Sequence, residues 1–335
     1  MKAPARLGLY GLVLVAVFAV AGFTANAVVP EETVQSWAED TADTTHHEEG
    51  DAMNGDEHEG HNAGASSLGL GLAQDGYQLT AVTAPTATGT EGELALTVTG
   101  PDGNSVTDFD LEHEKELHLI AVRADGQHFR HVHPEMDDGG TWTIPWQWGA
   151  AGSYRVFADF VPADTGEGIT LSTSVQVAGD LVPVPAEPAA TTTVDGFDVS
   201  VEGDLVAGSA SELTLTVTRN GEPVTALEPY LGAFGHLVAL RDGDLAYLHV
   251  HPHGEAPQAG ETSGPEIVSE ATAPTSGRYL LYLDFQVDGQ VRTAALVIDT
   301  VAGAGENDAG HSGGEHSDTG PDSGDEHEEG AGHGH

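Results

Sequence analysis

The chain has 335 residues and carries 10 Lys and Arg against 54 Asp and Glu, a formal charge of −44. That balance repels phosphate, so nucleic acid and anionic lipid headgroups are poor partners and cations are favoured ones. Cysteine is absent, which removes disulfides, zinc ribbons, iron–sulfur clusters, thiolate copper centres, cysteine nucleophiles and a lipobox anchor together.

The acid excess has two readings, cation handling or a salty habitat in which a negative surface keeps protein in solution. The charge alone does not choose between them. Hydrophobic residues make up 39% with glycine left out, and the polar tracts at either end point to folded domains diluted by polar tails.

Residues 1–30 read as an export segment. Lys2 and Arg6 precede an apolar run from Leu7 to Phe23, and Ala25-Asn26-Ala27 has the small residues of a signal-peptidase site. Taken from Leu7 to Val29 the segment is 23 residues, long enough to cross a bilayer as a helix. A cleaved signal and an uncleaved N-terminal membrane anchor therefore both stand, and either places the remainder outside the cytoplasm.

Residues 31–75 form an acidic, Gly- and His-rich tract without periodicity, containing His46-His47-Glu48-Glu49 and Asp56-Glu57-His58-Glu59-Gly60-His61. Residues 302–335 repeat that character with His311, His316, His327, His333 and His335. Both tails read as disordered, with loose, multiple contacts to divalent cations expected of them.

Between the tails lie two β-rich blocks, 76–180 and 195–301, joined by a Pro-rich linker at 181–194. Short β-type runs such as Leu94–Thr99 and Tyr154–Phe160 alternate with Pro and Gly turns. The pattern predicts an all-β chain of two tandem Ig-like or cupredoxin-like antiparallel sandwiches.

The two blocks are an internal repeat. Glu93–Thr99 answers Glu212–Thr218, and His118–Arg123 answers His236–Arg241. His131-Val132-His133-Pro134 answers His249-Val250-His251-Pro252, and Gly152–Phe160 answers Gly277–Phe285.

Histidine spacing carries the functional expectation. With 118–123 as one strand, 128–133 as the next and 124–127 as the turn, Arg123 faces His128 and His118 faces His133. His131 and His133 are two apart and share a face, so His118, His131 and His133 converge. The same arithmetic brings His236, His249 and His251 together in the second block. A register slip of one residue would destroy either trio.

Ile120, Val122 and Phe129, with Val238, Leu240 and Tyr247, share the histidine face, which is therefore read as the core side of each sandwich. Three imidazoles without sulfur suit copper(II) or zinc(II), copper first because it leads the divalent affinity order. Asp159 and Asp284, late in each copy, are weaker candidates, as a further ligand or as an acceptor for an imidazole N–H. Arg123, Arg241, Trp142, Trp146 and Trp148 read as packing or surface pairs, and Glu135 and His253 as turn residues.

The stretches His113–Ile120, Phe129–Pro134 and Glu228–Val238 resemble those of exported actinobacterial proteins labelled secreted or heavy-metal-associated. The resemblance runs from about Asp75 to Val301. It implies an exported sandwich protein with a link to metal. The heavy-metal domain built on paired cysteines does not match.

The leading expectation is a non-enzymatic binder of divalent metal ions that buffers copper or passes it to an envelope transporter or chaperone. A His-ligated zinc enzyme is the first alternative, because an H-x-H opposite a third His is the zinc arrangement of carbonic anhydrases and some cupins. Against it, no general base recurs in both copies. A structural or adhesive surface module is the second alternative.

Overall fold

Alternation of apolar and polar residues builds the outer strands. Leu94, Leu96 and Val98 point inward from one strand, and Leu213, Leu215 and Val217 from its repeat, with partly exposed residues between them. The central strands differ, because 117–123 is buried at every position. A strand buried on both faces needs a second layer on its outer side.

The structure is a computed structural model and describes residues 68–302 apart from His249, Glu255 and Ala259. The export segment, most of the first acidic tract and the C-terminal tail lie outside the described residues. No helix occurs among the described residues.

In the first copy the strands are β1 (Ala73–Gln74), β2 (Tyr77–Thr83), β3 (Gly92–Thr99), β4 (Phe109–Asp110), β5 (Leu117–Arg123), β6 (Arg130–Val132), β7 (Glu135–Met136), β8 (Thr141–Trp146), β9 (Gly152–Pro162) and β10 (Ile169–Val177). The second copy has β11 (Thr191–Val194), β12 (Phe197–Glu202), β13 (Ala210–Arg219), β14 (Glu222–Pro223), β15 (His236–Arg241), β16 (Tyr247–Leu248), β17 (Val250–Pro252), β18 (Glu266–Thr272), β19 (Arg278–Val287) and β20 (Gln290–Asp299).

Each copy is an antiparallel sandwich. One sheet runs β1-β2-β3-β8-β7 in the first copy and β11-β12-β13-β18-β17 in the second. The facing sheet runs β10-β9-β5-β6 and β16-β15-β19-β20. The correspondence strand for strand is what a duplication predicts.

Each sandwich has its own core. Leu119, Ala121, Val156, Ala158 and Phe160 enter the first, and Ala239, Leu281, Leu283 and Phe285 the second.

The opposite face of the same central strands forms a third apolar layer. Ile120, Val122 and Phe157 of the first copy pack there with Val238, Leu240, Tyr247, Leu280 and Tyr282 of the second. The face that carries the histidines is therefore buried, but against the other sandwich and not against its own core. Pattern reading treated each copy as a separate sandwich and so assigned the apolar face to the wrong core.

Two equivalent contacts pin this layer. Phe129 stacks on Tyr282 with ring centroids 3.9 Å apart, and its repeat Tyr247 meets Phe157 at 5.6 Å. The Tyr282 hydroxyl donates to the Gly126 carbonyl at 2.6 Å. Gly126 has φ +77°, and a Cβ there would lie 2.6 Å from Leu280 Cδ1. Only glycine lets this turn approach the second copy so closely.

Candidate metal centre

The hairpin register places the first histidines. β5 pairs β6 with Leu119 opposite Val132, Ile120 opposite His131 and Ala121 opposite Arg130. Continuing that register puts His118 opposite His133. His118, Ile120 and His131 then share the face turned toward the second copy.

The three rings of the first copy form a nearly equilateral group. Ring centroids lie 5.2 Å apart for His118 and His131, 4.9 Å for His118 and His133, and 5.0 Å for His131 and His133. His118 Nδ1 lies 3.0 Å from His131 Nε2 and 3.2 Å from His133 Nε2.

Hydrogen bonds on the far sides of two rings assign their tautomers. His118 Nε2 is 3.0 Å from the Glu112 carbonyl oxygen, which can only accept, so Nε2 carries the proton and Nδ1 a lone pair. With Asp284 ionised, His131 Nδ1 donates to its carboxylate at 2.8 Å, which leaves a lone pair on Nε2. In that state two lone pairs face each other across 3.0 Å. Such a contact is repulsive unless a cation lies between them.

A proton is a poor choice for that cation. Burial, reinforced by the neighbouring His118 and His113, lowers the His131 pKa to about 3. Burial and the adjacent His131 and His118 lower His133 to about 3 as well. His118 is also lowered, chiefly by burial. Neutral imidazole is the metal-binding form.

The spacing suits a metal. At a metal–nitrogen distance of about 2.0–2.1 Å, adjacent ligand nitrogens lie about 2.9 Å apart in a square plane and about 3.3 Å apart in a tetrahedron. The separations of 3.0 and 3.2 Å fall between the two.

The second copy adds an imidazole to this group. His236 lies with its ring centroid 4.9 Å from His131 and 5.7 Å from His118. Nitrogens of His118, His131 and His236 all lie within 4.8 Å of one another. Burial, then the nearby His131 and His118, hold His236 well below 6.5.

Asp284 sits opposite His236 on β19 and accepts from both His131 and the Thr293 hydroxyl. It orients an imidazole through its N–H, the carboxylate–histidine arrangement of metal sites. Burial pushes its pKa up to about 7, with the Thr293 bond pulling downward.

The second trio expected from sequence does not assemble among the described residues. β16 pairs β15 in the expected register, with Leu240 opposite Tyr247. The chain then crosses early to the other sheet, and His251 stands exposed opposite Glu270. The repeat position of Leu248 explains the difference. Leu248 is drawn into the second core, whereas its counterpart Arg130 stays outside, 3.7 Å over the Trp146 ring. His249 lies outside the described residues.

Asp159 sits opposite His118 but accepts from Thr170 at 2.7 Å and faces the Tyr247 hydroxyl at 3.4 Å. Arg123 pairs with Asp125, and Arg241 with Asp244. Trp142, Trp146 and Trp148 are buried in the first core.

Sequence reasoning missed His113, whose ring lies 5.2 Å from His236 and 6.1 Å from His118. It also missed the merging of the two histidine sets. The uninterrupted apolar run after His118 was the available signal, since it marks a strand covered on both sides.

Segments 72–179 and 192–302, together more than half of the chain, match the family model described as "Domain of unknown function (DUF8832)". The chain belongs to this family. Each DUF8832 segment spans one sandwich, so the histidine centre lies between two copies of the domain. No curated protein matches the chain.

Among solved structures, Salmonella alpha-2-macroglobulin reacted with methylamine is 14% identical, covering 69% of this chain and 15% of its own, with TM-score 0.25. Invasin, a bacterial integrin-binding protein, is 14% identical, covering 68% and 39%, with TM-score 0.22. The Yersinia pseudotuberculosis adhesin InvE is 11% identical, covering 65% and 57%, with TM-score 0.20. The chain thus spans less than two thirds of each of these proteins. TM-scores of this size leave function unconstrained.

Proposed function

We propose that this protein is a non-enzymatic, extracytoplasmic binder of a divalent transition metal, with copper(II) first and zinc(II) second, acting in metal buffering or delivery. The supporting observation is the 3.0 Å approach of His118 Nδ1 to His131 Nε2 in a buried layer, with nitrogens of His118, His131 and His236 all within 4.8 Å of one another. His133 and His236 supply the further imidazoles, and Asp284 aligns His131. An all-nitrogen donor set favours copper in the divalent affinity order.

The export reading of residues 1–30 supports a location beyond the cytoplasmic membrane. An envelope transporter or chaperone is the expected recipient of the metal. The His-rich tails would collect metal loosely around this single tight centre.

Calorimetric titration of the full-length protein with Cu(II) tests the reading. One tight equivalent is expected, followed by a weak phase from the tails. His251→Ala should leave the tight phase unchanged, because His251 is exposed and away from the centre. Two tight equivalents would contradict the shared centre. Absence of a tight phase would leave the sandwiches as a structural surface module.

A further inference from the structure

The layer between the sandwiches changes character along its length. On β5 and β9 the row His118–Asp159 is followed by Ile120–Phe157. On β15 and β19 the row His236–Asp284 is followed by Val238–Tyr282 and Leu240–Leu280. Imidazoles and carboxylates therefore lie together at one end, and the apolar layer lies on the turn side of them. Arg123, at the turn end of β5, is about 16 Å along the strand from His118.

Two straps bind the turn end. Before the first sandwich, the Leu68 carbonyl accepts from the Tyr247 N–H of the second copy at 2.7 Å, and the Gly71 carbonyl accepts from the Ser172 N–H of the first at 2.8 Å. Gly69 between them has φ +63°, and a Cβ there would lie 2.9 Å from Tyr247 Cβ, so only glycine lets the strap lie this close. Before the second sandwich, the Val182 carbonyl accepts from Arg123 at 3.1 Å and the Val184 N–H donates to Asp125 at 2.9 Å. The Ala186 carbonyl then accepts from Arg278 at 2.6 Å, and the Ala189 N–H donates to Val297 at 2.8 Å. Each strap thus crosses from the hairpin of one copy to the outer strands of the other.

The histidine end has no such strap among the described residues. There the copies meet through His131 and Asp284, through Tyr247 and Asp159, and through the His236 ring beside His118 and His131. Separating the turn end would expose apolar surface to water. Separating the histidine end would hydrate polar groups that burial without a cation leaves poorly satisfied.

On the metal-binding reading above, we infer that the straps and the apolar layer form a fixed hinge, and that the histidine end opens in the metal-free protein and closes on the metal. A metal held by His118 and His131 of one copy and His236 of the other spans the gap with coordinate bonds, so loading sets the separation of the sandwiches at that end. The same opening admits metal to the His131 side chain, which is 0% exposed in the closed arrangement.

The chain has no cysteine, so an introduced pair is the sole attachment point for thiol-reactive spin labels. Glu116→Cys with Gln290→Cys places one label on each copy at exposed positions of the histidine end, and Ala124→Cys with Asp242→Cys does so at the turn end. Distances would be measured by pulsed electron paramagnetic resonance on the full-length protein with excess chelator, with one equivalent of Cu(II), and with one of diamagnetic Zn(II). Metal affinity would be read on the same labelled samples by chelator competition. Loading should shorten the histidine-end distance by several ångström and narrow its distribution, with the turn-end distance unchanged. In His236→Ala the shortening should vanish.

Tight binding of either metal with an unchanged histidine-end distance would overturn the clasp while leaving the centre standing. Equal movement at both ends would overturn the hinge. A wild-type protein that holds neither metal tightly would remove the metal-binding reading itself, and the clasp with it.

Discussion

Replacing His131 by alanine is expected to abolish the tight metal site and with it the stabilisation of the fold by metal. His131 contributes one lone pair to the centre and is the ring that Asp284 of the second copy holds in place. Losing an oriented ligand should weaken affinity by about 100-fold or more, at or beyond the upper end of what loss of a supporting contact alone does. Metal at a hundred times its dissociation constant stabilises a folded protein by about 2.7 kcal/mol. For a chain of this size that raises the melting temperature by about 5–10 °C.

Melting curves with Cu(II) and with excess chelator should therefore separate for wild type and coincide for His131→Ala. The substitution also leaves the buried Asp284 with only the Thr293 hydroxyl as donor, which costs about 1–3 kcal/mol in the metal-free state. His131→Gln, which can still donate toward Asp284, should recover part of that stability without recovering the metal response. Equal metal-induced shifts in wild type and His131→Ala would rule out this residue as a ligand.

The metal-free protein should lose stability in acid. His118, His131, His133 and His236 are all held below the ordinary value of 6.5, in each case chiefly by burial. Between 6.5 and the folded value the unfolded chain binds more protons than the native one. Their contribution is therefore fully present above pH 6.5 and is lost as pH falls toward about 3. For the fully buried His131 the slope is about 1.4 kcal/mol per pH unit.

Asp284 works in the opposite direction. Its folded pKa, raised to about 7 by burial, gives stability that is present below 3.8 and lost as pH rises through 7. Between 3.8 and 6.5 it offsets one imidazole, and the other three leave the net sign unchanged. Melting temperature measured with chelator from pH 7.5 to 4 should fall steadily. A flat profile would show that the imidazoles are not held neutral by burial.

Local structure was legible in the residues. The register that opposes His118 to His133 follows from loop length and the two-residue period, and the β5–β6 pairing has that register. The second hairpin follows the same arithmetic as far as Leu248. The repeat was legible because strand-forming runs recur in the same order, and both segments match one family.

Relations between the copies were harder to read. Alternation tells which side of a strand is apolar but not what covers it. Ile120 and Val238 look like ordinary core residues until the facing sandwich is present. Asp284 was a weaker candidate because its partner, His131, is 153 positions away in the other copy. His251 was expected at the centre because the crossing point of its strand depends on Leu248 entering the second core, a packing event that spacing does not encode.

The central claim is that imidazoles from both copies hold one metal. X-ray absorption of the full-length protein loaded with a single equivalent of Cu(II) tests it most directly. The account predicts a first shell of nitrogen at about 2.0 Å with the multiple scattering of three or more imidazoles, and a loss of one imidazole's scattering in His236→Ala. A shell dominated by oxygen, or one unchanged in His236→Ala and His131→Ala alike, would contradict it.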